Sequence, residues 1–338
     1  MIKILGLILW LFGVTMYKKH KLYKRAWRIT VIPRTIFGGF ESGDALVVST
    51  SEFGDDKALR CTFDVESFWS NGPLFGKVTV YNLSADISYM LATQGTRVVI
   101  EAGYQDGAFG KIWDGDLYHY IEYRENVTDR VSEFHLMQGY GIYKNEHIMV
   151  NIPKGANIDG RWQTLTQSVR VTGVSSETTK KKQQKSVRDW VCFGEAKDYF
   201  QQTAIDAGGK IGLVESSGDS QYTITDFINE ISKGPSLEVS PETGLIGTPT
   251  TIPLGVSFKT LLDPRLRFTS PPQQIQLMNT EVRVTTPQQV GATPLLYKND
   301  GKYKVVRVQH TGDSRGNDWH TTVTGFVNPA DALARGLV

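Results

Sequence analysis

Four side chains near the carboxy terminus, His310, Asp313, Asp318 and His320, form the one group in this sequence that looks like a metal-ligand set. Neutral imidazoles and carboxylates at a hairpin tip could converge on zinc. Turn chemistry explains the same stretch better. In Thr311-Gly312-Asp313-Ser314-Arg315-Gly316-Asn317-Asp318, glycine accepts positive φ, and Asp and Asn bond to their own backbone. Asp114, Asp116, Glu122 and Glu125 are a second group, with the two kinds of carboxylate that a glycosidase uses as acid and base. Alternating carboxylates on one strand share a face, however, and belong more often to a solvated edge. No Gly-x-Ser-x-Gly elbow, His-Glu-x-x-His helix, phosphate-cradling Gly-rich loop or dinucleotide fingerprint accompanies them. Cys61 and Cys192 are the only cysteines, far apart and without a Cys-x-x-Cys pattern, so neither a disulfide framework nor a structural zinc site is indicated. Cys61 falls in the alternating Leu59-Arg60-Cys61-Thr62-Phe63-Asp64-Val65, which reads as a strand holding a buried thiol. No catalytic, cofactor-binding or metal-ligating residue is assigned, and the chain is read as non-enzymatic, without cofactors and folding in the cytoplasm.

The elements that would carry these residues are mostly strands. Lys302 to His310 alternates polar residues with Tyr and Val, and Trp319 to Phe326 is rich in β-branched and aromatic residues; both are strand signals around a long polar tip. Ala26 to Ile32, Leu59 to Val65, Lys77 to Tyr81, Arg97 to Gly103, Gly110 to Trp113, Leu117 to Arg124 and Val131 to Met137 read as further strands. One helix, Ser84 to Thr93, is capped by Ser84 and turns Ile87, Met90 and Leu91 to one side. Closing such a sheet into a barrel would remove its exposed edges.

The texture changes between residues 141 and 235. Val187 to Gly208 spaces Trp190, Phe193, Ala196, Tyr199, Phe200 and Ala204 as a helix would, with Gly208-Gly209 as its stop, and Thr223 to Ile231 reads as a second short helix. Lys180-Lys181-Lys182 sits in a polar stretch and reads as an exposed loop. Trp27, Trp69, Trp113, Trp162, Trp190 and Trp319 are spread through the chain, as core or interface anchors rather than a sugar platform. Gly110-Lys111-Ile112-Trp113 and Gly301-Lys302-Tyr303-Lys304 each open a Gly-Lys-aromatic strand, a faint sign of two related barrels that convergent hairpin composition explains equally well.

The chain has 338 residues, enough for two or three domains, with 40% hydrophobic and 21% charged residues, an ordinary globular composition. A net charge of +2 argues against a phosphate-neutralising surface as its main task. At the amino end, Ile4 to Val14 is continuously apolar but short of the ~20 residues of a membrane span. Three readings compete: a membrane anchor flanked by Lys18, Lys19, Lys21, Lys24 and Arg25, a segment buried against a partner, or an over-extended start with Met16 as the natural first residue. The third is preferred.

The ordered set of patterns resembles the baseplate hub proteins of long-tailed bacteriophages. Carrying the resemblance are Gly76-Lys77-Val78-Thr79-Val80-Tyr81-Asn82-Leu83-Ser84, Val98-Val99-Ile100-Glu101-Ala102-Gly103-Tyr104, Gly110-Lys111-Ile112-Trp113-Asp114-Gly115-Asp116, Gly244-Leu245-Ile246-Gly247-Thr248-Pro249-Thr250, Leu261-Leu262-Asp263-Pro264-Arg265-Leu266 and Tyr303 to Trp319. It covers roughly residues 22 to 327. The fold expected is α+β and mainly β. A leader (1–21) precedes a first tube-like β-barrel domain (22–140), a smaller mixed α/β insert (141–235), a second tube-like barrel (236–327) and a tail (328–338). The resemblance further implies a homotrimer presenting six barrels in a pseudo-sixfold ring at the distal tail or baseplate of the virion, assembled in the host cytoplasm. Such a ring joins a tail tube or distal tail protein to a spike or tip protein, and its lumen passes the tape measure protein and then DNA. Membrane contact rests on the leader alone. The alternatives are a membrane-anchored β-rich binding protein and, more weakly, a carboxylate-based cell-wall hydrolase.

Overall fold

The computed structural model describes residues 24–327, apart from 33–45, 50–58, 71, 86–87, 89–95, 144–146, 170–172, 176, 181–183, 208–209, 217–218, 226–231, 233–234, 253–254, 270 and 284–300. The leader, the tail, Lys181 and Lys182, and most of the helix expected from Ser84 lie outside the described residues. Of that helix, Ser84, Ala85 and Ser88 are described, and the Ser88 N–H donates to the Ser84 carbonyl at 3.0 Å.

Alternating apolar residues build β1 (Arg25–Ile32), β2 (Leu46–Ser49), β3 (Cys61–Phe68), β4 (Leu74–Tyr81), β5 (Arg97–Tyr104), β6 (Phe109–Arg124) and β7 (Arg130–Gln138). β6 had been expected as two strands. Bulges at Ile100/Glu101 and Leu117/His119 let one long strand pair with β5 through its first half and with β7 through its second. The carboxy-terminal half supplies β13 (Leu237–Val239), β14 (Leu245–Ile252), β15 (Gly255–Leu261), β16 (Gln274–Leu277), β17 (Lys302–Asp313) and β18 (Trp319–Val327).

These strands form one continuous sheet, and among the described residues no closed barrel is found. The path runs β14-β15-β18-β17-β3-β4-β7-β6-β5-β1-β2, with β13 and β16 branching from β17, and among the described residues it does not close. β17 is the reason. Gln274 to Gln276 of β16 pair along its first residues; past a bulge at Val305/Arg307, the rest pairs with β3 from Arg307↔Phe68 to Asp313↔Thr62. The bulge also switches parity, so that Tyr303 and Val305 point inward before it and Val308, His310 and Gly312 after it.

Each half keeps its own apolar core. The first gathers Trp27, Ile29, Val65, Val78, Ile100 and Leu136; the second gathers Val256, Phe258, Ile275, Tyr303, Val308 and Val323. The two exchange anchors. Leu262 and Trp319 pack into the first core and Trp69 into the second, and each such burial contributes about 1.5–3 kcal/mol.

The middle region has a third core around Ile152, Ile158, Trp162, Cys192 and Phe200. It holds a two-stranded sheet of β8 (His147–Ile152) and β10 (Trp190–Glu195), and a three-stranded one of β9 (Gly173–Ser175), β11 (Lys210–Ser216) and β12 (Asp219–Thr225). Helices α1 (Ile158–Ser168) and α2 (Ala196–Asp206) pack through Trp162 and Phe200, edge to face at 5.1 Å. The Asn157 side chain caps α1 by accepting from the Gly160 N–H at 2.8 Å. The single helix expected from Val187 to Gly208 is instead β10 followed by α2. Gly194, at φ 146°, marks the change, in a conformation that suits glycine. Thr223 to Thr225, expected as a helix start, lie in β12, where Ile224 pairs with Ser175. Among the described residues no helix is long and apolar enough to cross a membrane.

Candidate functional site

The two halves of the sheet meet along β17 and β3, and the β17–β18 tip rests on this seam. Across it, Arg307 pairs with Glu66, and the Gln309 amide donates to Asp64 Oδ1 at 2.8 Å. From the first core, Trp113 Nε1 donates to the Glu66 carbonyl at 2.9 Å. At the tip, the Asp313 carboxylate accepts from Arg60 Nη2 at 2.7 Å and from the Arg315 N–H at 2.9 Å. Burial pulls this carboxyl upward, but Arg60 and the backbone N–H groups of Arg315 and Gly316 outweigh it and hold it below the usual carboxylate range. Ser314 and Cys61 exchange bonds, Ser314 N–H to the Cys61 carbonyl and Cys61 N–H to Ser314 Oγ, both at 2.9 Å.

β1 reaches the same tip from the other side. Arg25 donates to the main-chain carbonyls of Asp313 (2.7 Å), Gly316 and Asn317 (3.5 Å). Trp319 Nε1 donates to the Gly103 carbonyl of β5 at 3.3 Å, and its ring meets Phe63 edge to face at 5.3 Å. Side chains thus span the gap that the hydrogen-bonded path leaves between β1 and β5 on one side and β17 and β18 on the other. Gly312 permits the close approach, since a Cβ there would lie 2.3 Å from the Phe63 ring.

The four residues weighed as metal ligands do not converge. His310 pairs with Thr321 across the hairpin and His320 with Thr311, so the two imidazoles leave opposite faces of the sheet. His310 is buried, its Nδ1 2.9 Å from Thr321 Oγ1, and burial pushes its pKa down to about 3. His320 lies 3.8 Å from the exposed Asp318. Burial, then the Lys259 charge, hold His320 below its ordinary value. Among the described residues no group of three or more His, Cys, Asp or Glu could hold a metal ion.

In the second carboxylate group, Asp114, Asp116 and Glu122 lie on β6, and Glu125 follows it. Asp114 is buried and pairs with Arg97 at 2.6 Å, and Glu122 pairs with Arg130. Both cysteine thiols are buried; burial pushes Cys61 up strongly and Cys192 to about 11. Trp27, Trp69, Trp113, Trp162 and Trp319 are core residues, and Trp190 packs partly buried against the third core.

The residues that organise the tip, Arg25, Arg60 and Asp64, carry no motif. Their partners lie more than 240 positions away in the chain, so no local pattern could have picked them out. Two surface features were also silent. Beside the tip a cleft of about 330 Å³ is lined by Arg25, Ile246, Lys259, Trp319 and His320, among others. In the middle region the outward face of β8 and β10 leaves Met149, Val191 and Phe193 exposed, with Phe193 opposite Met149.

No protein-family model and no curated protein matches the chain. Solved structures do. A tail protein from Neisseria meningitidis MC58 aligns over 90% of this chain and 97% of its own, at 9% identity and a TM-score of 0.52. The 43 kDa tail protein of prophage MuSo2 from Shewanella oneidensis aligns over 89% of this chain and 96% of its own, at 6% identity and a TM-score of 0.51. A chain of the half-lidded Francisella PdpA–VgrG complex aligns over 96% of this chain and 61% of its own, at 9% identity and a TM-score of 0.54. Identities this low speak to fold alone. Over most of its length the chain shares its fold with these tail proteins and with a chain of the PdpA–VgrG complex.

Proposed function

We propose that the chain is a non-enzymatic structural subunit of a phage tail, the hub at its distal end or baseplate. Three copies form a ring in which residues 22–140 and 236–327 of each copy act as two tube-like units and residues 141–235 as an insert. The ring joins a tail tube or distal tail protein above to a spike or tip protein below, and its lumen passes the tape measure protein and DNA.

The observation that supports this reading most is the β17–β3 seam. It makes one continuous sheet of two halves with separate cores. Two units tied in this way resist relative rotation, which a ring under mechanical force needs. The likeness to tail proteins over nearly the full length of each chain adds support.

Sedimentation of the purified full chain tests the proposal. A species of three times the chain mass is the expected result. A strict monomer, at high concentration and alongside tail proteins of its own source, contradicts it.

A further inference from the structure

We infer that the β6–β7 turn of one copy inserts into the cleft beside Trp319 of a second copy, making a head-to-tail contact. The inference rests on the ring reading above and names the contact that closes the ring. One side is a knob. In the turn after Arg124, Asn126 Oδ1 accepts from the Thr128 N–H (2.8 Å), the Thr128 hydroxyl (2.9 Å) and the Asp129 N–H (2.7 Å). The Asp129 carboxylate in turn accepts from Asn126 at 2.7 Å and from Asn82 of the neighbouring β4 end at 3.2 Å. The turn is therefore held in shape before any partner arrives, which lowers the entropic cost of docking.

At its apex Val127 is 91% exposed, with Glu125 and Asp129 on either side. Arg124 sits one residue below, and Arg130 is engaged by Glu122. A rigid turn that presents a branched apolar side chain between two carboxylates is matched to a hole with an apolar wall and a cationic rim.

The cleft beside Trp319 is such a hole. Its volume of about 330 Å³ accommodates a small side chain with its flanks. Ile246, 41% exposed, and Trp319 supply apolar wall; Arg25, Lys259 and His320 supply positive or protonatable rim, against one carboxylate, Asp318. Arg25 directs its donors to main-chain carbonyls, and among the described residues it forms no salt bridge with a carboxylate. Among the described residues none pairs with Lys259, whose charge is felt by His320. Knob and hole are built from different residues, so their contact is heterologous, and its repetition closes a ring where the rotation between copies closes.

The test introduces Val127→Cys and Ile246→Cys together in the full chain. The native Cys61 and Cys192 are buried and do not compete. Mild oxidation of the assembled protein is expected to give disulfide-linked species up to the trimer, with neither single variant giving a ladder. Lys259→Glu is expected to weaken self-association about tenfold, and adding Glu125→Lys to restore it. A trimer that assembles normally, yields no cross-link and ignores Lys259→Glu overturns this contact while leaving the ring reading in place. An unmodified chain that stays monomeric overturns the ring reading and this contact with it. Cross-linked chains that extend past the trimer support the contact and contradict closure at three.

Discussion

The β17–β18 tip and the β6–β7 turn are both polar hairpin ends rich in Asp and Asn, yet they have opposite fates. The first is clamped from two sides, by Arg60 onto the Asp313 carboxylate and by Arg25 onto three main-chain carbonyls, with Trp319 buried at its base. The second is scaffolded almost entirely by itself, through Asn126, with Asn82 as its anchor and Val127 left in solvent. Turn composition sets the shape of both. Whether a tip becomes framework or free surface depends on cations and aromatic rings delivered by strands distant in sequence.

Substitutions at the two tips should therefore differ sharply in their effect on stability. Trp319→Ala removes a buried ring shared by the first core and the β5 carbonyl, and is expected to cost about 3–5 kcal/mol in denaturant unfolding. A loss below about 1 kcal/mol would mean that the tip is not framework. Gly312→Ala drives a methyl group into the Phe63 ring and should cost about 1–3 kcal/mol; Phe63→Leu in the same chain should return part of it.

Acid should weaken the clamped side through His310. Its folded pKa of about 3 lies below the ordinary 6.5, so the unfolded chain takes up a proton that the folded chain refuses. Above the ordinary value His310 adds no pH dependence. Between there and the depressed value it should subtract about 1.4 kcal/mol per pH unit as pH falls. His310→Gln should flatten that slope; a slope unchanged by the substitution would assign it to other groups. The smallest effect belongs to the free knob: Val127→Ala should change stability by less than about 0.5 kcal/mol. If it matched Trp319→Ala in thermal unfolding, the contrast between the two tips would collapse.

Much of the sheet was legible in the sequence. Alternation in Ala26 to Ile32, Lys302 to His310 and Trp319 to Phe326 corresponds to β1, β17 and β18. Turn chemistry around Gly312 and Asp313 accounts for residues that otherwise look like ligands. Pairing was not legible, because period-two alternation says which side chains share a face and not which strand lies alongside. The β17–β3 seam joins residues far apart in the chain, and the parity switch at Val305/Arg307 has no residue signature. In the middle region, Trp190 and Phe193 extend the helical spacing of Phe200 and Ala204 by coincidence. Trp190 and Phe193 take opposite faces of β10, while Phe200 and Ala204 do share a buried face of α2. The clamp at Asp313 was hidden for the same reason as the seam, since Arg25 and Arg60 reach it only through tertiary structure.

Electron microscopy of the purified full chain tests the central claim most directly. The expected image, viewed end-on, is a ring with six domain-sized densities around an open centre, repeating as three pairs. Isolated elongated particles with no ring under any concentration, or closed particles without a central channel, would contradict it.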